Sequence, residues 1–149
     1  MEEKKEMNEK ACIQEVDGRV IVTGEVDLEV CKRILWNCYG VLDLSQAMFI
    51  IDEEEWHQFL GMSHHGPVYG SSGWREVDVL KRLLQEVCAD KVILPADVAR
   101  RHMNAAIKNE DIYEVEVPDD CKLFAMKDGD VYNKKLTKLV FQKRNTAEQ

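Results

Sequence analysis

The chain reads as an α+β protein: a single domain with a mixed or mainly antiparallel sheet, β-hairpins at both ends and three to four packed helices. Three observations predict it. Asp17-Gly18 and Asp128-Gly129 each separate short apolar runs, and Asp-Gly is a preferred two-residue hairpin loop because both positions need positive φ. Between them, apolar residues recur at helical spacing in several segments. From residue 112 onwards the pattern changes to period two. The 149 residues fit one domain of about 150.

The elements follow in order. Residues 1–9 form a charged, flexible lead-in, residues 10–144 the single domain and residues 145–149 a flexible tail. Segments 11–16 and 19–23 make the first hairpin. Asp27 caps a helix over 28–39, whose Val30, Cys31, Ile34, Leu35 and Cys38 share one face, and Gly40 ends it. Segments 41–44 and 48–51 are two short strands divided by Ser45-Gln46.

Asp52 then opens a second helix over 52–60. Glu53, Glu54 and Glu55 favour the positive end of its dipole, and Trp56, Phe59 and Leu60 supply its buried face. Residues 61–73 form a loop holding four of the eight glycines, which feeds a helix over 74–88. Residues 91–94 are a buried strand. Pro95 ends it, and 98–108 is another helix. Tyr113, Val115 and Val117 line one face of a strand with Glu114 and Glu116 on the other. Across the second Asp-Gly turn, Lys127 opposes Asp130 and Met126 opposes Val131. A final strand covers 135–143.

Charge narrows the partners. There are 20 basic residues against 28 acidic ones, a net of −8. An acidic body repels phosphate backbones, so nucleic acid is disfavoured despite Lys134, Lys135, Lys138, Lys143 and Arg144 near the end. Those bases read as an edge protected against strand-to-strand association. No run approaches the ~18 apolar residues of a membrane span, and residues 1–10 lack the apolar stretch of a signal peptide. The expected location is cytoplasmic. Five scattered cysteines without a C-x-x-C pair agree, and Cys31 and Cys38 read as small hydrophobes.

The nearly uncharged loop is the leading candidate site. Small residues feeding a helix N-terminus present N–H groups and partial positive charge to an anion. Ser71, Ser72, Gly73, Trp74 and Arg75 stand at that mouth, with Tyr69 positioned to stack on a base or sugar. Arg100 and Arg101 join the set if their helix face borders the loop. Neither established phosphate signature is present. His64 and His65 are the candidate acid or base residues. Glu53, Glu54 and His57 have metal-ligand spacing, but one E-x-x-H is not a metal site, so no metal or cofactor is expected.

Gly24-Glu25-Val26-Asp27-Leu28 after a strand, Leu42-Asp43-Leu44-Ser45 and Phe49-Ile50-Ile51-Asp52 resemble the STAS family of regulatory domains, as does the strand, proline and helix rhythm of residues 91–114. Glu53 stands where that family often has a phosphorylatable serine. The resemblance implies a regulatory domain and transfers no site.

The functional expectation is a small binding or regulatory protein, without catalysis, that engages a protein or a phosphorylated, nucleotide-like molecule through residues 61–75. The rivals are an enzyme acting on such a substrate through the loop histidines, a STAS-like regulator, and a homo-oligomeric structural component.

Overall fold

A computed structural model describes residues 11–144. The lead-in expected over 1–9 and the tail over 145–149 lie outside the described residues. Strands take up 53% and helices 18% of the described residues, in three sheets with only three short helices among them. The α+β architecture with three to four packed helices is thereby overturned: the protein is mostly β.

Strand β1 (Cys12–Val16) and strand β2 (Arg19–Val26) pair antiparallel across Asp17-Gly18, whose φ values of 53° and 79° supply the left-handed turn. From β2 the chain repeats one move. Helix α1 (Leu28–Ile34) leads to β3 (Cys38–Phe49), helix α2 (Val79–Glu86) to β6 (Cys88–Ile93), and helix α3 (Arg100–Lys108) to β7 (Glu114–Glu116). Each step adds one parallel strand, giving the order β1-β2-β3-β6-β7. Parallel neighbours need a crossover, and a helix is the usual one. The helices consequently stack in chain order, α1 on α2 and α2 on α3.

Between the helix row and the sheet lies the core: Val22, Val26, Leu42, Leu44, Val92 and Val115 from strands, and Ile34, Leu80, Leu83, Leu84 and Met103 from helices. Asp27 caps α1, its carboxylate accepting from Val30 N at 2.9 Å. This helix ends at Ile34, so Cys38 opens a strand and does not share a helix face with Cys31. Nor does Ser45-Gln46 break β3. Register against β2 slips by one residue between Ile21 and Thr23, and Asp43 Oδ1 accepts from both Ser45 N (2.9 Å) and Ser45 Oγ (2.6 Å) beside that bulge.

The helix expected over 52–60 is instead strand β4 (Ile51–Ser63), and the expected loop is strand β5 (Gly66–Asp78). Among the described residues they pair only with each other, as a two-stranded antiparallel ribbon. Trp56, Phe59 and Leu60 do have helical spacing. But the glycine-rich partner segment, with Pro67, is a poor helix former, and cross-strand pairing with it overrides the local preference. The helix expected over 74–88 starts only at Val79, after the ribbon ends.

A third sheet, β10-β9-β8, closes the end of the molecule with strands β8 (Phe124–Lys127), β9 (Asp130–Asn133) and β10 (Leu139–Phe141). Lys127 pairs with Asp130 and Met126 with Val131. The expected 135–143 strand shrinks to β10. Asn133 Oδ1 accepts from Thr137 N and Lys138 N and folds the preceding lysines into an exposed turn.

Candidate functional site

The ribbon is firmly held where it leaves the body. Asp52 Oδ2 accepts from Leu28 N at 2.9 Å, tying the start of β4 to the first turn of α1. Two residues on, Glu54 Oε1 accepts from Arg82 of α2 (3.0 Å) and Arg75 of β5 (3.1 Å), with Lys32 of α1 at 4.0 Å from Oε2. These bonds, Arg82 first and Arg75 second, bring the Glu54 carboxyl down to about 2. The acidic run 52–55 therefore anchors a strand and does not start a helix.

Asp78 closes the other strand and caps α2, accepting from Lys81 N at 3.2 Å. It also accepts from Arg101 Nε and His102 Nε2. Burial raises the Asp78 pKa, but the bonds from Arg101, Lys81 N and His102 outweigh it and leave the carboxyl below its ordinary value.

Beyond that base the ribbon is exposed on both strands. On one face the alternation places Glu55, His57 and Phe59 of β4 beside Trp74, Ser72 and Tyr69 of β5. The Tyr69 ring lies 5.3 Å from His57 and 6.1 Å, edge-on, from Phe59. Phe59 is 53%, Tyr69 58% and Trp74 67% exposed. Leu60, Met62 and Val68 add exposed apolar area towards the tip.

Two glycines let the opposite strand pack inward. A Cβ at Gly70 would stand 2.7 Å from Leu60 Cγ, and one at Gly73 3.3 Å from Trp56 Nε1. Glycines in a strand often mark such close approach by another group. Trp56, half-buried, thus stiffens the ribbon, and Trp74 is left free. Gly66, at φ 117°, turns the tip.

The sequence-derived candidates are brought together only in part. Tyr69, Ser71, Ser72, Gly73, Trp74 and Arg75 all lie on β5, three or more residues short of the α2 N-terminus and not at it. Asp78 occupies that terminus, and Arg75 and Arg101 are each committed to a carboxylate. Arg100 points elsewhere, into a groove of about 490 Å³ lined by Met103, Ile107, Leu123 and Lys138. His64 and His65 occupy the tip turn, where Ser63 Oγ accepts from His65 N at 3.2 Å. Among the described residues neither imidazole has a side-chain partner to orient it, and no cluster of three metal-ligating residues exists.

Phe59, Leu60, Met62 and Val68 were missed as surface residues. One signal was available: Ser63-His64-His65-Gly66 divides two stretches of matched length, the arrangement of a hairpin. Among the described residues no helix is long and apolar enough to cross a membrane. No family model, curated protein or solved structure matches the chain, so the resemblance to STAS domains has no support from these comparisons.

Proposed function

We propose that this chain is a protein-binding module whose β4–β5 ribbon docks onto an apolar, basic-rimmed patch of a partner protein. The observation that carries this reading is the exposed aromatic row of Trp74, His57, Tyr69 and Phe59 on one ribbon face. A two-stranded ribbon is marginally stable by itself in water, and exposed apolar clusters of this kind mark interaction sites. Tyrosine and tryptophan are typical anchors of protein interfaces. Glu53, Glu55 and Glu76 on the same face favour lysines and arginines on the partner. The same carboxylates oppose an anionic lipid surface.

A phosphorylated small molecule is supported less well. Its expected seat at the start of α2 already holds the Asp78 carboxylate, and the nearby arginines are paired.

The test places a photo-crosslinking residue at Tyr69 in the living host and at exposed Glu110 as a control. A partner captured from the ribbon alone is then purified and titrated. Serine at Phe59, Tyr69 and Trp74 is expected to weaken that binding at least ~30-fold, the loss typical of interface anchors, without altering the fold. Equal capture at both positions, or unchanged affinity, rejects the reading. So does thermal stabilisation by a phosphorylated metabolite that the serine substitutions abolish.

A further inference from the structure

Cys38 opens β3 and Cys88 opens β6, and the two are direct partners on adjacent parallel strands. Directly paired residues leave the same face of a sheet, with strands about 4.8 Å apart. That spacing falls inside the roughly 4.4–6.8 Å between Cα atoms that a disulfide spans. Both thiols are free, Cys38 exposed and Cys88 half-buried. A hydrogen bond between the two side chains, with burial adding to it, pushes the Cys88 thiol up to about 11. The other cysteines lack this arrangement. Cys31 and Cys121 are buried, and Cys12 faces Thr23 across its strand pair.

We propose that Cys38 and Cys88 form a dithiol site for thiol–disulfide exchange, which closes to an intramolecular disulfide on reaction with a low-molecular-weight disulfide such as oxidised glutathione. Cys38, the accessible thiol, gives up its proton and attacks one glutathione sulfur. One glutathione leaves as a thiolate, takes up that proton, and a mixed disulfide remains on Cys38. Cys88 then loses its proton and attacks the Cys38 sulfur, the mixed S–S bond breaks and the second glutathione leaves as a thiol. Two cysteine thiols are oxidised by two electrons, and one glutathione disulfide is reduced to two thiols. The new bond would join β3 to β6 across the chain segment that carries the ribbon and α2. It thus lies apart from the proposed docking face and does not depend on it.

The experiment uses the full chain with Cys12→Ser, leaving four cysteines, incubated with oxidised glutathione. The number of thiols titrated in denaturant is expected to fall from four to two. The intact mass should drop by two hydrogen atoms, and a non-reducing digest should show the 38–88 peptide pair. Adding Cys88→Ser should stop the reaction at one stable glutathione adduct on Cys38. Separate adducts on both cysteines, a disulfide between two chains, or four thiols remaining would each overturn the proposal.

Discussion

His102 Nε2 lies 2.9 Å from Asp78 Oδ2, joining the starts of two helices across 24 residues of sequence. The other ring nitrogen, Nδ1, accepts from Ala99 N at 2.9 Å. That acceptor role places the proton on Nε2, which donates to Asp78. The ring cannot serve as a general base while both nitrogens are engaged. It is a tie between the base of the ribbon, α2 and α3.

This tie makes stability depend on pH. Burial pushes the His102 pKa below its ordinary 6.5, against the pull of Asp78. The unfolded chain therefore binds the proton more readily, and stability rises with pH across that interval. His102 contributes fully above pH 6.5 and loses its contribution as pH falls through the depressed native value. Thermal melts from pH 7.5 to 5 are expected to show a falling Tm. His102→Ala should flatten that segment and cost about 1–3 kcal/mol at pH 7.5, since it strands the Ala99 N–H and removes one of the donors to the Asp78 carboxylate.

Glu54 governs a lower pH window. With its carboxyl at about 2 in the fold against an ordinary 4.5, its contribution is present above 4.5 and lost as pH falls towards 2. The carboxylate is 21% exposed, so solvent screening reduces the effect to about 1–2 kcal/mol. Glu54→Gln should lower Tm at pH 7 but not at pH 2. The same variant should quicken proteolytic cleavage within the ribbon, because Arg75, Arg82 and Lys32 lose their common anchor.

Arg144 fastens the end of the described chain. Its guanidinium donates to the carbonyls of Asn109 and Ile112, at 2.8 Å each, and to that of Ile107, and it lies 4.8 Å from the Phe141 ring centroid. Arg144→Ala is expected to cost about 1–3 kcal/mol in urea unfolding by removing its donors from those carbonyls. Lysine should recover less than half of that loss, since an ammonium lacks the planar fork.

Much local structure was legible because its causes are local. Asp17-Gly18 and Asp128-Gly129 turn where positive φ demands it, and Asp27 caps the helix it precedes. The alternation of Val115 and Val117 with Glu114 and Glu116 marks a strand with one buried side. Tyr69 and Trp74, read from the sequence as candidates to stack on a ligand, both lie on the exposed ribbon face. The partners of Arg101 and Arg75 were not legible, because Asp78 and Glu54 lie 23 and 21 residues away in sequence. The in-register pairing of Cys38 with Cys88 depends on the order of parallel strands, which sequence spacing does not encode.

The sequence by itself determined the turns, the first helix cap and the acidic balance. Those depend on backbone preference and side-chain chemistry over a few residues. Only the tertiary structure decided that residues 51–78 form a ribbon and not a helix with a loop. A strand's hydrogen bonds go to a partner, so its stability belongs to the pair. The glycine-rich segment supplied that partner. Pairing with it turned a helix-like stretch into a strand and brought its aromatic side chains to the surface.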